Sequence, residues 1–515
     1  MVCLMGIDIG TSNTKVLIID DMGNLMAKSS REYSISSPRQ GYAEQDPEWW
    51  WCAAKASIKE ALKSSRVDAS EISAIGLSGQ MHGTVLLGKD CKPLRPAIIW
   101  TDKRSSFQCR EFYQKIGTEK VLDIVCNPII VGFMGPSLLW VKENEPSIFN
   151  ETFKALLPKD YVRFKLTDSF ATDTSDASAT LLFDVKRREW SHYLFSQLSI
   201  PPEIFAKVFE STQVTGEISV ETSEATNLPR GIPVIAGGGD SPVGAVGCGA
   251  IKAGVVSSNI GTGGQTFVTL NEFKVDPEYR IHTFCHAVPE KWYLQGAILS
   301  AGLSLRWFKD NFAHLEKSVG ALCSIDPYDL LSKEAELAEP GCKGLIFLPY
   351  LLGERSPHMD PNARGGFFGL TFEHSRAHLI RAVMEGVAYA LRDCLEIFDK
   401  LEVKTQKVIA RGGGSRSFLW RQIQADILNA EVVKTEIEEE AAFGAALLAG
   451  VGVGVYGDLE EACEKTIQIV SSKSPNEERV KTYEEYYSKV YRNLYPSLKN
   501  YWMKVDSKEL LEECS

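Results

Sequence analysis

Several features are missing from this sequence, and each absence narrows the reading. There is no GxxxxGK[ST] run, which excludes a Walker-type NTPase. No two of the 12 cysteines stand in CxxC spacing, and no Cys/His cluster has zinc-ligand spacing. Scattered cysteines in a long chain fit reduced thiols and a cytoplasmic location. No apolar run reaches the roughly 20 residues of a spanning helix; the stretch 441–455 is apolar but short and broken by glycine. The start lacks a basic region and carries Asp8 inside its apolar run, so no signal peptide is expected there. Positive charge is not in excess: 56 Lys and Arg face 67 Asp and Glu, a net charge of −11. Such a chain is a poor general binder of nucleic acid or anionic membrane. An anionic ligand then needs a local site of backbone amides, a metal or a few cations.

What remains is ordinary globular composition, with 44% hydrophobic and 24% charged residues over 515 positions. That length predicts about three domains, or two large ones. The opening reads as strand 4–9, a polar turn 8–14 and strand 15–19, joined tightly enough to be an antiparallel hairpin. A helix is predicted over 47–64, where Trp49, Trp50 and Trp51 read as packing residues rather than a sugar platform. Strands at 74–77 and 85–87 flank Ser78-Gly79-Gln80-Met81-His82-Gly83-Thr84. Strands and helices alternate to about residue 250, which predicts an α/β fold. Near Gly249 the plan restarts: strand 254–260, Gly261-Thr262-Gly263-Gly264, strand 265–270. The two openings differ in sequence, so duplication is a hypothesis. Helices are predicted over 378–400, 419–428 and 475–499, the last studded with tyrosine and followed by a frayed polar tail.

Three Gly/Ser/Thr turns, 10–14, 261–264 and 412–417, each follow an apolar strand-like run. Glycine lets backbone amides approach phosphate oxygens, and hydroxyls add donors. One such turn is usually only a turn; three together point to a nucleotide. Two carboxylates sit beside them. Asp8 reads either as a turn cap or as a contact to phosphate-bound magnesium, commonly through water. Asp240, after Gly237-Gly238-Gly239, reads either as an N-cap for a helix over 242–247 or as acceptor of a substrate hydroxyl proton. His82 reads as a satisfied loop histidine or a polar contact. Trp100 and Asp102, within Trp100-Thr101-Asp102-Lys103-Arg104, offer the aromatic face and hydrogen-bonding groups that suit a polyol.

Taken in order, these residues resemble the FGGY family of carbohydrate kinases, and within it the xylulokinases, from about residue 3 to about 500. The resemblance is carried by Gly6-Ile7-Asp8-Ile9-Gly10-Thr11-Ser12, by Tyr42–Pro47 and by Gly79-Gln80-Met81-His82-Gly83. Leu157-Pro158-Lys159-Asp160-Tyr161 and Thr172–Ser178 continue it, followed by Gly366–Leu370 with 378–385, and by Gly412–Ser417 with Trp420-Arg421-Gln422. It implies two ribonuclease-H-like domains of the actin-like ATPase architecture around a central cleft. The sugar-binding domain would span 1–248, the ATP-binding domain 249–500, and a tail 501–515. It implies ATP and Mg2+ as cofactors and phosphorylation of the terminal hydroxyl of a ketopentose, D-xylulose foremost. The base role falls on Asp240 and the metal role on Asp8. Thr11, Ser12, Gly261, Thr262 and Gly302 take phosphate contacts, and Gly413 and Ser417 the nucleotide. Met81, His82 and Asp240 would face the sugar, with Trp100 and Asp102.

Three positions depart from the family: Ser241 for Asn, Gly263 for Ser and Ser137 for Lys. Expected partners are a sugar and ATP, with no nucleic acid and no membrane, and a homodimer as the candidate assembly. Two other readings stay open: a family kinase for another ketose, polyol or sugar-like signal, and a non-catalytic sugar- or nucleotide-sensing module.

Overall fold

The structure is a computed structural model and describes residues 2–65 and 67–505. Its strands fall mainly into two seven-stranded mixed sheets. The first is built from β1 (Cys3–Ile9), β2 (Asn13–Asp20), β3 (Leu25–Glu32), β4 (Ile72–Gly79), β5 (Val214–Glu217), β6 (Pro233–Ile235) and β7 (Gly238–Gly239). Its order is β5-β6-β4-β1-β2-β3, with β7 on the end of β4. The second contains β8 (Val255–Ile260), β9 (Gly264–Leu270), β10 (His282–Cys285), β11 (Trp292–Ile298), β12 (Lys407–Arg411), β13 (Glu431–Thr435) and β14 (Ile469–Lys473), in the order β10-β11-β9-β8-β12-β13-β14.

The two sheets share one plan. β1 pairs antiparallel with β2 and parallel with β4; β8 pairs antiparallel with β9 and parallel with β12. The repeat foreseen in the two openings therefore extends to whole sheets. β1 is buried along its whole length because both faces are covered, which is why it reads as one apolar run.

The main helices are α1 (Pro47–Ser64), α2 (Thr174–Ser178), α3 (Asp240–Cys248), α4 (Gly302–Phe312), α5 (Arg376–Lys400), α6 (Phe418–Leu428), α7 (Glu440–Gly452), α8 (Glu477–Tyr486) and α9 (Arg492–Val505). In α1, Trp50 and Trp51 are buried and Trp49 is exposed. α7 is apolar on every side and buried from Ala442 to Gly450, as a helix enclosed by protein should be. Among the described residues no helix is long and apolar enough to cross a membrane.

The chain changes sheets near residue 249, but packing does not divide there. α7 belongs by sequence to the second half and lies on the first sheet, packing on Leu4, Leu17 and Ala74. α3 belongs to the first half, and its Ala245 and Cys248 share a core with Ile409, Val433 and Tyr293 of the second sheet. The two helices meet through glycine: a Cβ on Gly247 would lie 1.9 Å from the Glu440 carbonyl oxygen. Each half thus lends a helix to the other.

The C-terminal helix corrects the sequence reading. It starts at Glu477, passes through a π-helical segment over Tyr487–Tyr491 and continues to Val505. Residues 501–505, expected as tail, are its last turn. The cause is Trp502, only 4% exposed, whose ring sits 6.2 Å from that of Tyr350. The rest of the expected tail, 506–515, lies outside the described residues.

Candidate active site

The first Gly/Thr/Ser loop joins β1 to β2, with the Gly10 amide donating to the Asn13 carbonyl at 2.9 Å. Asp8 lies one residue before the end of β1, opposite Lys15 on β2 and Ser78 on β4. It is a strand residue, not a turn cap. It is only 9% exposed, and its Oδ1 is buried with no hydrogen-bond partner. Burial raises its pKa, opposed by the Lys15 ammonium. Thr11 and Ser12 follow, with Ser12 exposed.

The second loop repeats this form between β8 and β9. Gly302 at the start of α4 donates to the Gly261 carbonyl at 2.8 Å, and Leu303 to that of Thr262 at 3.0 Å. Arg306, one turn into α4, donates to Thr262 Oγ1 at 3.0 Å. A physical reason for Gly263 is visible here: a Cβ would lie 2.9 Å from the Ile298 carbonyl oxygen. The third loop leaves β12 through Gly412, whose φ of +71° suits glycine. Around Gly413 there is open space, and Ser417 caps α6 by accepting the Trp420 amide at 3.2 Å. Gly261, Thr262, Gly302, Gly413 and Ser417 line one cavity of about 670 Å³ on the second sheet. Arg306, Tyr328, Asp329 and Ser332 complete it, and sequence reading passed over them. Their one signal was the Asp326-Pro327 helix start, a common N-terminal pattern that says nothing about ligands.

On the first sheet, the loop that carries Gln80-Met81-His82 leaves β4. His82 adopts φ +73°. Its ring stacks on Phe133 at 3.6 Å, and Nδ1 faces the Ala179 carbonyl at 2.8 Å. Burial holds its pKa down to about 4, so the ring is neutral at physiological pH. Nδ1 then carries the proton, and Nε2 is left as an acceptor. Met81 is buried and pressed against the corner before Asp240: a Cβ on Gly239 would lie 2.7 Å from its Cγ. Trp100 is 42% exposed, and its indole donates to Thr11 Oγ1 at 2.9 Å, which ties the aromatic to the loop between β1 and β2. Asp102 is buried at 1% exposure; it accepts the Ala43 amide at 2.6 Å and pairs with Arg104 at 2.8 Å. Its oxygens thus hold the loop that carries Trp100. Ser137, the third departure, is fully buried in the helix Met134–Asn144.

Asp240 is the first residue of α3, and Gly239 is the N-cap, so the N-cap reading is corrected. Gly237 reaches this corner at φ +73°, where a Cβ would lie 2.1 Å from the Leu77 carbonyl oxygen. Asp240 is half-buried, and Ser241 Oγ lies 3.4 Å from its Oδ1. Desolvation pushes its pKa up to about 7, and the negative charge of Asp8 adds to the rise. A helix N-terminus normally favours a carboxylate; here desolvation wins. The result is a carboxyl poised to exchange a proton near neutral pH.

The family models agree with this geometry. Residues 3–247 match the N-terminal domain of the FGGY family of carbohydrate kinases, and residues 256–453 match its C-terminal domain. The chain belongs to the FGGY family of carbohydrate kinases. It is a sugar kinase with the two-domain FGGY fold. This FGGY kinase is 37% identical to a xylulose kinase of Bacillus subtilis over 96% of its own length and 97% of the relative's. It is 32% identical to a gluconokinase of the same organism, covering 93% of each chain. The ligand-bound xylulose kinase structure from Lactobacillus acidophilus superposes with a TM-score of 0.90 at 28% identity, over 98% of this chain and 100% of that one.

Proposed function

We propose that this FGGY kinase transfers the γ-phosphate of ATP to the terminal hydroxyl of D-xylulose, giving D-xylulose 5-phosphate. The observation that carries the reading is Asp240: a carboxyl at a helix start, desolvated, within the field of Asp8 and directly after Gly239, which packs on Met81 of the sugar-side loop. The 670 Å³ cavity fits a nucleotide whose phosphates point toward the cleft. Magnesium fits the donor set. Among the described residues no cluster of three His, Cys, Asp or Glu stands ready to cage an ion. One orphaned carboxylate, Asp8, suits a cation held mostly by phosphate oxygens and water. Bound there, it would neutralise charge on the phosphoryl oxygens.

Asp240 accepts the hydroxyl proton as the oxygen attacks in line. Proton transfer can lag in a loose transition state, so holding the hydroxyl matters more than base strength. The amides and hydroxyls of 10–12 and 261–263 face the transferring group and stabilise its charge. Neutral His82 offers Nε2 to a sugar hydroxyl. Approach of the two sheets would exclude water, the competing acceptor. Supply of ATP places the reaction in the cytoplasm.

ADP release on a panel of D-xylulose, D-ribulose, glycerol and D-gluconate tests the substrate. D-Xylulose should give the highest kcat/KM. The gluconokinase likeness makes D-gluconate the informative competitor, and its leading the panel would replace ketose by aldonate. ATP binding without turnover on any sugar would favour the sensing module. Asp240→Asn should still bind ATP while kcat falls by roughly 10²–10⁴; near-normal turnover removes Asp240 from the mechanism.

A further inference from the structure

We propose that Asp173, charge-paired with Lys159, is a positioning residue for the catalytic base. The inference rests on the kinase reading of Asp240. Two sequence stretches, 157–161 and 172–178, carry family resemblance without any role in the chemistry above. The fold brings them together under the sugar side of the cleft.

Lys159, Asp160, Asp173 and Asp176 are all fully buried. The Lys159 ammonium lies 2.6 Å from Asp160 Oδ1, 2.9 Å from Asp173 Oδ1 and 3.6 Å from Asp176 Oδ2. Replacing such groups by apolar ones is often neutral or stabilising, so stability alone does not explain them. What they hold explains more.

Asp173 Oδ2 accepts from the Ser175 amide at 2.7 Å, from the Ser175 hydroxyl, and from the Ser211 hydroxyl at 3.2 Å. Ser175 Oγ, its own proton given to Asp173, accepts the Gly239 amide at 3.1 Å. The Ser211 carbonyl accepts the Gly237 amide at 3.0 Å. Two of the amides leading to Asp240 therefore hang from two serines gripped by one carboxylate oxygen. The run 237–239 has no side chains and high intrinsic freedom; Gly238 and Gly239 pair with Ser78 and Gly79 of β4, and the two serines add a second hold. Space confirms how close the support is: a Cβ on Gly238 would lie 2.9 Å from Ser175 Oγ. Lys159 also backs the neighbouring strand β4, where a Cβ on Gly79 would lie 2.9 Å from Lys159 Cβ, just ahead of Gln80-Met81-His82. One buried ion cluster thus lies behind both of these paired strands, the one that leads to the sugar-side loop and the one that leads to the base. A displacement of about 1 Å in such a corner costs on the order of 10²-fold in rate.

The test uses the full-length protein with D-xylulose and MgATP. Ser175→Ala removes only the hydroxyl that links Asp173 to the Gly239 amide. It should fold, keep KM for ATP within about twofold, and lose about 10- to 100-fold in kcat. In an Asp240→Asn background, followed over long incubations, the same substitution should change kcat by less than about twofold, because no base is left to position. Asp173→Asn keeps an acceptor and the α2 cap while removing the charge, and should lose less than Asp173→Ala; this pair decides the matter if Ser175→Ala fails to fold. An unchanged kcat in Ser175→Ala, or an equal loss in both backgrounds, overturns the positioning role. Absence of sugar-dependent turnover in the wild-type protein overturns the kinase reading instead, and is seen before any variant is made.

Discussion

Asp240 shows how far a single residue can be argued. Its carboxyl titrates near 7 because it is desolvated and faces Asp8. The proton acceptor is the ionised form, so kcat/KM for the sugar should fall as pH drops through about 7, not through the ordinary carboxylate range near 4. A profile flat down to pH 5 would contradict this. The same shift has a stability consequence. Between about 4 and 7 the folded state binds a proton that the unfolded state has released, so stability falls as pH rises across that window. Asp240→Asn removes the disfavoured charge. Its Tm should exceed that of the wild type at pH 8 and equal it near pH 4, measured without ligands. The aspartate after three glycines was legible in the sequence. Its pKa was not, because desolvation and the approach of Asp8 come from parts of the chain more than 200 positions apart. Asp102 is the opposite case: its residue type suits a polyol, yet the Ala43 amide and Arg104 engage its oxygens within the protein.

Elements make contacts that periodicity alone does not display. Helix α7 approaches the first sheet so closely that a Cβ on Gly6 would lie 1.8 Å from the Ala442 carbonyl oxygen, and one on Gly76 would lie 1.9 Å from that of Ala445. Both obstacles are backbone, which cannot turn aside. Gly76→Ala should therefore reach or exceed the upper end of overpacking costs, about 3 kcal/mol, visible as a lower Tm or loss of soluble protein. A Tm within about a degree of wild type would mean that α7 can shift. The sequence located α1, β2 and α6 to within a residue or two, because hydrophobic period and caps are local signals. It stopped the last helix short, since Trp502 meets Tyr350, a residue far off in the sequence, only in the folded chain.

At the scale of the molecule, consecutive glutamates at the start of α7 tie the halves together. Glu439 pairs with Lys15 of the first sheet at 2.5 Å, and Glu440 with Arg411 of the second. Both acids sit where a helix N-terminus favours negative charge. Beside these pairs α3 and α7 pack backbone to backbone, with a Cβ on Gly444 only 2.1 Å from the Val243 carbonyl oxygen. Sugar and nucleotide together should lower the radius of gyration in solution scattering. An unchanged value on saturation with both would mean that the sheets already stand at their final separation.

By itself, the sequence determined the repeated strand–turn–strand plan, the three glycine loops, the two marked carboxylates and the family they belong to. Hydrophobic period, turn chemistry and motif order are all written along the chain. Only the tertiary structure decided that α3 and α7 cross between the halves, that one cavity gathers Gly261, Gly302 and Gly413, and that Asp173 grips the serine that holds the Gly239 amide. Those outcomes depend on the mutual approach of distant segments in a desolvated interior, where backbone clearances and unshared charges are settled by neighbours that no local window contains.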